Sequence, residues 1–91
     1  MSVKVKIPAA LRQYTQNQSD LQVDAPTVEE TLQKLDRLFP GLRAFILNES
    51  NELRRYVNIF VNGKDNRAGE GITTKLKEGD KVRIVPAVAG G

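Results

Sequence analysis

Cysteine and histidine are both missing from the 91 residues of this protein. Without cysteine it can form no disulfide, no thiolate metal site and no thiol nucleophile. Without histidine it lacks the imidazole metal ligand and the side chain that most often serves as general base near neutral pH. The composition therefore argues against a self-contained catalytic triad, and no intrinsic catalytic residue is assigned. Asp65, Asp80 and the Glu49/Glu52 pair fall in polar turns and loops and are read as solvated acids. Long apolar runs are missing too. No stretch approaches the ~20 apolar residues of a membrane span. The opening residues go directly into an alternating pattern rather than the apolar core of a signal peptide, so a cytoplasmic protein is expected. The net charge of +3 biases encounters toward acidic partners, but it falls short of the concentrated basic patch of a nucleic-acid binder. Internal repeats and low-complexity segments are absent as well.

What is present suits one folded domain. Apolar residues make up 40% of the sequence and charged residues 27%, an ordinary balance for a globular protein and too apolar for a disordered one. Residues 3–7, VKVKI, alternate strictly, placing Val3, Val5 and Ile7 on one face of a strand and Lys4 and Lys6 on the other. After Pro8 a polar connection with one turn around Leu11 leads to a second short strand through Leu21 and Val23. Thr27-Val28-Glu29-Glu30 has the form of a capping box, and Val28, Leu32, Leu35 and Phe39 then recur at helical spacing until Pro40-Gly41 stops the helix. Leu42 to Leu47 reads as a further helical turn or irregular packing, and 48–55 as a charged loop. Val57, Ile59 and Val61 form the buried face of a third strand that ends at Asn62-Gly63, a strong turn signal. Ile72 to Leu76 reads as a short helical or 3₁₀ turn. The turn Lys77-Glu78-Gly79-Asp80 leads into a last strand, KVRIVP, with Val82 and Ile84 inward.

This order predicts an α+β domain, a mixed sheet of four or five strands packed on one main helix, with the first and last strands side by side at its centre. Residues 1–86 are expected to form the domain and 87–91 a flexible tail. The sequence ends with Pro86, three small residues and Gly90-Gly91.

The element order, together with Gly79-Asp80, the following strand, Pro86 and the terminal diglycine, resembles the β-grasp (ubiquitin-like) sulfur-carrier family. That family includes the small subunit of molybdopterin synthase, the thiamine-pathway carrier and a carrier serving cysteine biosynthesis. The molybdopterin carriers often have aromatic residues before the proline and a second proline after it, where this sequence has Ile84-Val85-Pro86-Ala87. The ending IVPAVAGG and the long loop before the third strand look more like the cysteine-pathway carrier.

The resemblance implies that an ATP-dependent activating enzyme, related to ubiquitin-activating enzymes, adenylates the Gly91 carboxylate. A sulfur donor then converts it to a thiocarboxylate. The implied acceptor is a partner such as a pyridoxal-phosphate-dependent cysteine synthase or a molybdopterin-synthase large subunit. The carrier itself binds no cofactor in this scheme, and all catalytic side chains belong to partners, which suits a protein lacking cysteine and histidine. Physical chemistry fits the tail to such a role. A terminal carboxylate is an anion at neutral pH and needs activation before a nucleophile can attack it. Gly90 and Gly91 lack Cβ atoms and can pass a narrow channel. Pro86 has no N–H for further pairing, which releases Ala87, Val88, Ala89 and the glycines from the sheet. Five residues beyond it reach roughly 17 Å.

Partners must also grip the domain. If Val57, Ile59 and Val61 face the helix, then Tyr56, Asn58 and Phe60 face away, and they are expected to share the outer face with Arg83, Val85, Lys4 and Lys6. Aromatics among cations suggest a docking surface with a basic rim. The same features allow two other functions: a ubiquitin-like modifier joined to lysines, or a small module stacking single-stranded nucleic acid.

Overall fold

The computed structural model describes residues 2–50, 52–65 and 71–86. Within them lie β1 (Ser2–Lys6), a 3₁₀ helix (Ala9–Tyr14), β2 (Asp20–Asp24), α1 (Val28–Leu38) and α2 (Leu42–Ile46). They are followed by β3 (Val57–Val61), β4 (Lys64–Asp65), a 3₁₀ turn (Gly71–Thr73) and β5 (Lys81–Pro86). The strands form one mixed sheet in the order β2-β1-β5-β3-β4. β1 and β5 run parallel, and the other neighbours are antiparallel. The first and last strands are therefore adjacent in the middle of the sheet, as the sequence predicts.

Alternation sets the layers. Val3 and Val5 of β1, Val23 of β2, Val57 and Ile59 of β3, and Val82 and Ile84 of β5 are buried on one face of the sheet. They meet Val28, Leu32 and Leu35 of α1 in a single apolar core that also takes in Phe39, Leu42, Ile46 and Leu76.

The helix starts where its cap demands. Thr27 is extended and its hydroxyl oxygen accepts from the Glu30 N–H at 3.2 Å. Glu29 and Glu30 lie in the first turn and Arg37 in the last, each complementing the helix dipole. The Val28 N–H donates to the Thr74 carbonyl at 3.1 Å, and the Leu76 N–H donates to the Pro26 carbonyl at 2.8 Å. This pairing corrects the expected turn at 72–76: the 3₁₀ segment ends at Thr73, because the residues after it are drawn out to satisfy the helix entry. At the other end Gly41 takes φ +100°, a left-handed conformation that turns the backbone sharply into α2. The Asp36 carboxylate then accepts from the N–H groups of Gly41 and Arg43. Asn62 (φ 52°) and Gly63 (φ 86°) both have the positive φ that a two-residue hairpin between β3 and β4 requires.

The two sides of α1 should answer differently to truncation. Leu32→Ala, at a fully buried site, is expected to cost about 2–5 kcal/mol, and Leu38→Ala, at a residue 61% exposed, should stay within ~0.5 kcal/mol of zero. Urea unfolding curves with an unchanged slope would check both values.

Candidate functional site

The outer face of the sheet is built by the register around β5. Lys6 is opposite Arg83, and Arg83 is opposite Phe60. This row is closed by Asp20 beside Lys6 on one side and Asp65 beside Phe60 on the other. In the next row Gln22 pairs with Lys4 and Lys4 with Lys81. Four cations thus stand as two directly opposed like-charge pairs, an arrangement that costs stability in a sheet. Among the described residues, no hydrogen bond or ion pair holds the side chain of Lys4, Lys6, Lys81 or Arg83. Together with Asp20, Phe60 and Asn62 they line a shallow, open depression.

Of the seven residues expected on this surface, Lys4, Lys6, Phe60 and Arg83 come together there. Val85 lies one step along β5, opposite Asn58. Tyr56 does not join them. The Val57 N–H donates to the Arg54 carbonyl at 3.0 Å, closing a turn through Arg55 and Tyr56, so the strand's alternation begins only at Val57. Tyr56 is 48% exposed and lines a separate depression with Asn48, Glu52, Leu53, Arg54 and Arg55. The expected pairing of Tyr56 with Phe60 is thus corrected. Sequence reasoning also passed over Lys81, although it shares Arg83's parity in KVRIV, and over Asp20 and Asn62, whose places depend on cross-strand register.

The base of this face is fixed by Asp80. Its carboxylate accepts from the Asn62 amide at 3.0 Å and from the Lys77 N–H at 2.8 Å. Its carbonyl accepts from the Lys4 N–H at 2.8 Å. The Asn62 side-chain oxygen in turn accepts from the Lys81 N–H at 2.9 Å. Gly79, at φ +84°, lets the turn reach back so that its N–H donates to the Ser2 carbonyl. The Asn62 amide, and after it the Lys77 N–H, hold the Asp80 carboxyl below its ordinary pKa. The ends of β1, β3 and β5 are thereby locked together.

At the opposite end β5 runs out at Pro86, half-buried and opposite Val57. The tail expected to carry the chemistry, Ala87, Val88, Ala89, Gly90 and Gly91, lies outside the described residues.

A five-stranded mixed sheet with parallel central strands, backed by one main helix, is the ubiquitin-like β-grasp. The sequence matches the ThiS family model over residues 5–91, and the chain belongs to that family. It is 37% identical over 93 aligned residues to the sulfur carrier protein CysO of Mycobacterium tuberculosis, covering all of both proteins. It superposes with TM-score 0.92 on one of the proteins in the crystal structure of the BexX/CysO complex from Amycolatopsis orientalis, at 35% identity, covering 98% of this protein and 99% of that one. The solution structure of small archaeal modifier protein 1 from Methanosarcina acetivorans follows with TM-score 0.85 and 33% identity, covering 99% and 96%. The protein is accordingly a sulfur carrier of this type, a small carrier rather than an enzyme.

Two outcomes test the geometry. Lys81→Gln or Lys4→Gln should raise the stability of the free protein by roughly 0.2–1 kcal/mol in low salt, and the gain should shrink as added salt screens the repulsion. For Asp80 the folded pKa lies below the unfolded one. Its contribution is therefore present above the unfolded carboxylate value of about 3.9 and is lost as pH falls through the folded value. Asp80→Ala should cost about 1 kcal/mol or less at neutral pH, given a largely solvated carboxylate whose hydrogen bonds are discounted by water, and the difference from wild type should close in acid. Denaturant midpoints across a pH series would check the sign.

Proposed function

We propose that this protein carries sulfur on its last residue, as a thiocarboxylate of Gly91, and that its main use is cysteine biosynthesis. The observation that carries this reading is the full-length similarity to CysO, with a family match that runs through Gly90 and Gly91. In the proposed cycle the Gly91 carboxylate attacks the α-phosphate of ATP on an activating enzyme, releasing pyrophosphate. A sulfur donor then displaces AMP from the acyl adenylate. The resulting terminal sulfur is the nucleophile toward an acceptor held by a second enzyme, and the cycle is placed in the cytoplasm. Both reactive groups are small and lie at the end of a slim tether, so they can enter sites that exclude the domain itself.

The domain's part is recognition. The outer face around Phe60, with Lys4, Lys6, Lys81 and Arg83 about it, offers an apolar centre inside a basic rim, and the partner surface it suits is acidic at its edge. Val85 extends this face toward the tail, whereas Tyr56 stands apart, next to the end of β5. Lysine conjugation is a second reading, favoured by the likeness to small archaeal modifier protein 1.

Intact mass spectrometry of the protein isolated from its native host tests the carrier role. One oxygen replaced by sulfur, located at Gly91, is the expected result, and alkylation should label only the C-terminus because the protein has no thiol. A pool without terminal sulfur, but with the Gly91 carboxyl joined to lysines of other proteins, would instead support conjugation. Phe60→Asp should leave the fold intact and slow adenylation of Gly91 by the activating enzyme at least tenfold. An unchanged rate would remove the docking face from the reading.

A further inference from the structure

Asn62-Gly63 is the only place in the sequence where an asparagine precedes a glycine. This pair is chemically labile. The Gly63 backbone nitrogen, unhindered by a Cβ, can give up its proton and attack Asn62 Cγ, forming an N–Cγ bond as the Cγ–Nδ2 bond breaks and ammonia leaves. Water then opens the succinimide ring, yielding aspartate if it attacks Cγ and isoaspartate if it attacks the main-chain carbonyl. The fold opposes the first step. Asn62 is tied to the start of β5 by three hydrogen bonds: its N–H donates to the Lys81 carbonyl at 2.8 Å, its side-chain oxygen accepts from the Lys81 N–H, and its amide donates to Asp80. Together these hold Cγ in the direction of the neighbouring strand.

We propose that Asn62 is a modification site, the first asparagine of this protein to deamidate, and that the Asp80 carboxylate guards it by holding its amide. The consequence of losing the guard is built into the same geometry. Deamidation replaces the N–H donor facing Asp80 with a carboxylate oxygen, so two anions meet where one hydrogen bond of 3.0 Å stood. Like charges at that distance cannot share the turn without a shift of one of them. Asp80 also holds Lys4 through its carbonyl, and Asn62 lines the outer depression. The change therefore adds negative charge at the edge of the basic face while loosening the junction of β1, β3 and β5. An isoaspartate also lengthens the two-residue turn by one backbone atom and breaks its register with β4.

The test uses the full-length protein aged in mildly alkaline buffer, folded and in urea, with each asparagine followed by peptide mapping. In urea Asn62 should convert before every other asparagine. In the folded protein its rate should fall at least tenfold. Asp80→Ala should speed conversion of the folded protein several-fold, whereas Ile46→Val, a core truncation of comparable cost, should age like wild type. Another asparagine converting first in urea, or Asp80→Ala ageing no faster than Ile46→Val, overturns the proposal. A second measurement is independent of whether Asp80→Ala folds. Asn62→Asp should lower the unfolding midpoint at neutral pH, and the exchanged pair Asn62→Asp/Asp80→Asn should regain at least half of the loss. No recovery in the exchanged pair would show that the two side chains are not coupled and would sink the guarding role.

Discussion

The structure depends on β5 being paired on both edges at once. β1 lies parallel on one side and β3 antiparallel on the other, and this central strand divides the molecule's tasks between its two faces. Val82 and Ile84 point into the core and tie the strand to the helix layer. Lys81, Arg83 and Val85 point out and form part of the outer face proposed for docking. Alternation in the six-residue segment that ends at Pro86 thus supplies both the packing that keeps the domain folded and the charged outer face.

Like charges work against stability on that outer face. Two like-charge pairs stand side by side across β1 and β5, with Asp20 and Asp65 only at the margins. A sheet selected for stability alone would alternate the signs, as cross-strand pairs of opposite charge are favourable. Retaining cations there is intelligible if the charges are matched on a partner instead. The hub at Asp80 offsets part of that cost by fastening the same strands through hydrogen bonds that leave the outer side chains exposed.

Much of this was legible in the sequence because period-two alternation and capping chemistry act locally. The strands through Val3, Val57 and Val82, the cap at Thr27, the stop at Gly41 and the turn at Asn62-Gly63 are all consequences of a few adjacent residues. What could not be read is register. Nothing local says that Lys4 faces Lys81 or that Asp20 closes the row beyond Lys6, since those neighbours are far apart in sequence. Tyr56 shows the other limit. Its parity matches Phe60, but it lies in a turn closed by the Arg54 carbonyl, and the strand's alternation starts one residue after it, at Val57. The Asp80 network was visible only as a turn motif, and its bonds to Asn62 and Lys4 required the fold.

The parallel pairing of β1 with β5 also has a mechanical side. A pull applied beyond Pro86 acts along β5, while its neighbours on both sides are held by the rest of the sheet. The ladder bonds are then loaded together in shear rather than peeled one after another. If the tail is used as proposed, traction on it would meet the joint resistance of the central ladders rather than of one bond at a time.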